Sequence, residues 1–62
     1  MKVWIARDFN NHILLHFERP RLRGEVWDSD NWFILEDSDF PEVTFENSPM
    51  EVELVIKNKE IR

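Results

Sequence analysis

Cysteine is absent from this 62-residue chain, which removes any disulfide, thiol nucleophile or thiolate zinc site and suits a reducing cytoplasm. Packing or self-association must therefore hold a fold that, at this length, buries only roughly 60% of the surface exposed by the unfolded chain. Long apolar runs are missing too. The opening Met1-Lys2-Val3-Trp4-Ile5-Ala6-Arg7-Asp8 meets charge before a signal-peptide core could develop, so neither secretion nor a membrane span is expected. Glycine occurs once and proline three times, so turns must be built largely from Asp, Asn and Ser.

The least expected absence is of basic residues. Between Glu25 and Ile56 there is no Lys, Arg or His, but there are ten carboxylates: Glu25, Asp28, Asp30, Glu36, Asp37, Asp39, Glu42, Glu46, Glu51 and Glu53. The first 24 residues carry +3, this stretch −10 and the last six +2, for a net −5. Such a balance disfavours direct nucleic-acid binding, which needs clustered cations on phosphates. It favours a partner with a basic surface.

What is present alternates with period two. Residues 2–7 set Val3 and Ile5 on one side and Lys2, Trp4 and Ala6 on the other, and residues 12–17 set Ile13, Leu15 and Phe17 against His12, Leu14 and His16. Asp8-Phe9-Asn10-Asn11 between them predicts an antiparallel hairpin. Glu18 to Gly24, broken by Pro20, predicts an exposed loop. Val26-Trp27 and Trp32-Phe33-Ile34-Leu35, bracketing Asp28-Ser29-Asp30-Asn31, predict a second hairpin. Val43-Thr44-Phe45 predicts a short strand, and Glu51 to Lys57, with Val52, Leu54 and Ile56 on one face, predicts the last one. Ser48-Pro49-Met50-Glu51 resembles a helix start, but period-two, β-branched spacing favours a strand. The expectation is a single all-β domain over 1–62 with about five antiparallel strands in a meander or small open barrel, and Phe17, Ile34, Phe45 and Leu54 in its core.

Few constellations carry chemistry. His12 and His16, four apart on a strand, stand roughly 14 Å from each other, too far to share a metal ion, and read as solvent-facing. Asp28-Ser29-Asp30-Asn31 starts like a calcium loop, yet Phe33 stands where such a loop needs glycine and Asp39 where it needs glutamate. Glu36-Asp37-Ser38-Asp39 is equally incomplete. No metal, cofactor or catalytic set is assigned, and no enzyme is expected, because no nucleophile, base and orienting group occur together. Arg19, Arg21 and Arg23, projecting from one loop, form a candidate anion contact or a match for the chain's own acids. Three tryptophans are a heavy load. Trp4, on the face opposite Val3 and Ile5, joins Glu42, Glu46, Glu51 and Glu53 as the candidate partner-binding set, for a basic protein surface or for self-association as a homodimer. In its sharpest form the acidic half would mimic nucleic acid on another protein. The alternative is small-ligand or divalent-ion binding by the carboxylate-rich turns.

The segment Phe40-Pro41-Glu42-Val43-Thr44-Phe45-Glu46-Asn47-Ser48-Pro49-Met50-Glu51-Val52-Glu53-Leu54, with Ile5-Ala6-Arg7-Asp8, resembles a set of short uncharacterised proteins of gut anaerobic bacteria and their mobile elements. "FPEVTFENSP" is its most specific part, and Glu18 to Trp32 matches least. The resemblance implies no catalytic residues. It makes a host-interaction or regulatory role more natural than metabolism.

Overall fold

In the computed structural model, which describes residues 1–55, six strands follow one another: β1 Lys2–Arg7, β2 Ile13–His16, β3 Arg21–Arg23, β4 Val26–Asp28, β5 Trp32–Ile34 and β6 Met50–Glu53. Every pairing is antiparallel. Four strands form an open sheet in the order β5-β2-β1-β6, while β3 and β4 form a separate two-stranded ribbon.

The first hairpin forms as its residues dictate. Asp8 N–H donates to the His12 carbonyl at 2.8 Å, Asn11 N–H donates to the Asp8 carbonyl at 2.9 Å, and Asn11 takes a φ of 82°. Asparagine is among the few residues that enter this left-handed region readily. The resulting register sets Ile5 against Leu15 and Arg7 against Ile13, while β6 sets Val52 against Val3 and Met50 against Ile5. One face thus gathers Val3, Ile5 and Ile13. The 35–49 connection folds over it, so that Ile5, Ile13 and Val43 form the buried cluster, with Leu35, Met50 and Val52 packed on its flanks.

Three local expectations require correction. Arg21 to Gly24 is not a plain loop, because β3 pairs with β4 around a two-residue turn in which Gly24 has a φ of 64° and Glu25 does not have a positive φ. That is the conformation a type II′ hairpin asks of glycine. Consequently the Asp28 to Asn31 segment does not close a hairpin between β4 and β5; it carries the chain back to β2, which β5 joins. Val43 to Phe45 is not a strand either. Thr44 N–H donates to Asn47 Oδ1 at 2.7 Å while Asn47 N–H donates to Thr44 Oγ1 at 3.1 Å, a reciprocal pair that closes a turn. Asn47 Nδ2 then donates to the Glu42 carbonyl and ties the turn to its approach.

The core also differs from expectation. The alternation in β1, β2 and β6 has the anticipated phase, but Phe17 and Leu54 fall just past their strand ends and are 44% and 42% exposed. Ile34 lies on the edge strand, on the face away from the core, and is exposed. Phe45 is half-buried, its ring edge-on to Phe9 at 5.5 Å and tilted against Trp27 at 6.3 Å. Ile56 and Lys57, expected in the last strand, lie outside the described residues.

Candidate protein-docking surface

Arg7 determines the shape of one side of the molecule. Strand alternation places it on the core face after Val3 and Ile5, where it is only 7% exposed. A guanidinium has five N–H donors in a planar fork, and here all five donate to backbone carbonyls: Nε to Val43 at 2.7 Å, Nη1 to Asn11 at 2.8 Å and Asp37 at 3.0 Å, and Nη2 to Asp39 at 2.9 Å and Phe40 at 3.1 Å. Phe40, at a φ of 51°, sits in a region that a bulky residue avoids and is held there by this acceptor role and by the Val43 N–H on the same carbonyl. The loop is gathered around one cation, and the half-buried Asp39 turns its carboxylate back to accept the Glu36 N–H at 3.1 Å while Asp37 stays exposed. A cleft of about 380 Å³ opens beside it, between Arg7, Phe9, Ser38 and Phe45. With its donors spent, Arg7 offers that cleft no hydrogen bond for an anionic ligand.

His16 corrects the solvent-facing expectation. It is fully excluded from solvent, its Nδ1 lying 2.7 Å from Ser29 Oγ, whereas His12 is exposed, with Nδ1 3.0 Å from Asp37 Oδ1. Ser29 Oγ has one hydrogen and donates it to the Asn31 carbonyl at 3.1 Å. It therefore accepts from His16 Nδ1–H, which makes Nε2 the unprotonated nitrogen. Burial pushes the His16 pKa down, while the charges of Asp8 and Asp28 oppose that shift. Nε2, together with the indole nitrogens of Trp4 and Trp27, is buried without a hydrogen-bond partner among the described residues.

His16 belongs to a row that crosses the whole sheet. Glu51 faces Trp4, Trp4 faces His16 and His16 faces Trp32. Ala6, Leu14 and Ile34 make the next row on the same face. The row is half-buried at Trp4 and closed at His16, and it becomes exposed at Trp32 and Ile34.

The sequence-marked residues separate into groups. Glu51 and Glu53 stand on this face, not on the loop face, and each already has a cation: Lys2 Nζ is 3.5 Å from Glu51, and the Met1 α-amino group 2.7 Å from Glu53, which lowers the Glu53 pKa. Glu42 and Glu46 are exposed on the loop and do not share a strand face, since no strand forms there. Trp4 is half-buried by its own chain. Arg19, Arg21 and Arg23 line one concavity with Glu18, Asp28 and Asp30, and Arg23 lies 3.4 Å from Asp28. That anion contact is thus met at least in part from within the chain. Among the described residues no group of three or more His, Asp or Glu is placed to hold a metal ion. Calorimetric titration with calcium or magnesium is expected to give no stoichiometric sub-micromolar isotherm. One that Asp30→Asn abolishes would restore an ion site at the 28–31 turn.

Sequence reasoning missed Arg7, Asp8 and the β5 edge. Asp8 is buried with Oδ1 accepting from Trp27 N–H at 2.8 Å, and it fastens the β3–β4 ribbon to the sheet along with the Phe9 N–H to Glu25 carbonyl bond at 2.9 Å. No family model matches the chain, and neither does any curated protein or solved structure. No helix among the described residues is long and apolar enough to cross a membrane.

Proposed function

We propose that this chain is a non-catalytic, cytoplasmic protein-interaction module that meets a basic surface on another protein. The observation that carries the proposal is β5: Trp32, Phe33 and Ile34 are 53%, 60% and 56% exposed, a contiguous apolar strand with Asp30 before it and Glu36 after it. An apolar centre with a charged rim is the anatomy of a protein interface, and scattered single exposed apolar residues do not have it. Glu42 and Glu46 add exposed carboxylates on the loop that follows. The resemblance of the FPEVTFENSP segment to mobile-element proteins is in keeping with an interaction role and assigns no residue a part in it.

The competing account is that the carboxylates only keep a Trp- and Phe-rich chain soluble. Charge removal separates the two. Asp30→Asn, Glu36→Gln, Glu42→Gln and Glu46→Gln together are expected to leave thermal stability unchanged or raised while abolishing salt-sensitive partner capture. If that variant stays soluble and keeps every captured partner at unchanged salt sensitivity, the acidic rim is a solvated surface and the proposal fails.

A further inference from the structure

Strand alternation decides which backbone groups of β5 are free. Leu35 N–H donates to the Ile13 carbonyl at 2.9 Å and Phe17 N–H to the Asn31 carbonyl at 3.0 Å, so the backbone at 31, 33 and 35 faces β2. Trp32 and Ile34 turn their N–H and C=O groups away from the sheet, and among the described residues nothing bonds to them. Among the described residues β5 ends the sheet on this side, three residues long and uncharged. An open edge with exposed apolar side chains on both faces is a template for another strand. The opposite edge strand, β6, carries Glu51 and Glu53, a protection that β5 lacks.

Charge identifies the kind of strand that fits. Asp30 lies in the bend that enters β5 and Glu36 opens the turn that leaves it, and among the described residues neither forms an ion pair within 4 Å, although Asp30 lines the concavity of Arg19, Arg21 and Arg23. A second copy laid antiparallel with Phe33 against Phe33 would bring Asp30 opposite Glu36 at both ends, and like charges facing each other across a ladder destabilise it. A strand with a basic residue three positions to either side of an apolar centre would meet opposite charge at both ends instead. We infer that β5 is the edge onto which an extended, apolar segment of a partner protein, flanked by Lys or Arg, adds as an antiparallel strand. This rests on the interaction role proposed above and specifies its mode. Trp32 and Ile34 supply the main-chain hydrogen bonds, the exposed side chains supply the apolar contact, and Asp30 and Glu36 set the register.

The blocked peptide Lys-Thr-Val-Ile-Val-Thr-Lys is a direct probe, because its centre would lie opposite Phe33, its valines opposite Trp32 and Ile34, and its lysines opposite Asp30 and Glu36. Titrated into the full chain and followed by amide chemical shifts, it is expected to move residues 31–36. N-methylation of both valines blocks the shared hydrogen bonds and is expected to weaken binding by about tenfold or more. Ile34→Pro, which deletes an outward N–H at a position where an edge strand tolerates proline, is expected to do the same. The N-methylated peptide, used with the unaltered protein, keeps the test valid if that variant fails to fold. Equal binding of the N-methylated peptide overturns strand addition and leaves the acidic-surface role standing. Equal binding of a Glu-flanked peptide removes the basic-partner role while leaving the edge in use. Absence of binding at millimolar peptide also overturns the inference, as does a dimer in sedimentation that Ile34→Pro dissociates, which would assign the edge to a second copy.

Discussion

Arg7→Ala is expected to cost about 3 to 5 kcal/mol, a large share of the stability available to so short a chain. A domain of this size has roughly 3 to 9 kcal/mol in total. The loss comes from five carbonyls that surrender their donor together, and from a loop whose Asp37, Asp39, Phe40 and Val43 share no other common anchor. Arg7→Lys keeps the charge but has neither the fork nor enough N–H groups, so it should fall between alanine and the native residue. Urea denaturation of the three proteins checks the order. A lysine variant within 1 kcal/mol of the native chain would mean that charge in the loop, and not the fork, is what matters.

Stability should also decline as pH drops below about 6.5, and His16 is the reason. The unfolded chain binds a proton at the ordinary histidine pKa of 6.5, whereas burial disfavours the charged ring in the fold. The unfolded state therefore binds more protons in this window. Stability is fully present above pH 6.5 and falls, by at most about 1.4 kcal/mol per pH unit, until the buried ring itself titrates. A fall of this size shifts Tm by at most roughly 10 °C per unit in so small a domain. His16→Leu should flatten the profile between pH 7 and pH 5, since Ser29 keeps its bond to the Asn31 carbonyl. An unchanged slope in that variant would remove His16 as the cause. Glu53 acts lower down and in the same sense: with its pKa held below 4.5 by the Met1 amine, its contribution is lost as pH falls through the acid range.

The local pattern was legible where side chains alternate over a central strand. Val3, Ile5, Ile13 and Val52 show their face directly, because both neighbours of β1 follow its period. The alternation could not reveal which strand sits beside which. Trp32 to Ile34 looks the same whether it pairs with β4 or β2, and the deciding feature, a Gly24 turn that uses up β4 by pairing it with β3, is a one-residue signal hidden among arginines. Turn chemistry misled in the other direction at Val43 to Phe45, where β-branched and aromatic residues suggest a strand and the Thr44–Asn47 pair overrules them. Arg7 was invisible for a different reason. A charged residue at a strand end ordinarily marks the surface, and the carbonyls that receive it lie up to 36 positions away. Of the candidate site, the acidic loop could be seen in composition, while the partnering of Glu51 and Glu53 depended on their pairing with β1.

The position of β1 between β2 and β6 bears on how the chain is made. Synthesis runs from N- to C-terminus, so β1 is made before both of the strands that flank it. Until Met50–Glu53 has left the ribosome, Val3 and Ile5 have an uncovered edge, and the 35–49 cover that buries them is untethered at its far end. A nascent or C-terminally trimmed chain would present the otherwise buried Val3 and Ile5 to whatever is near.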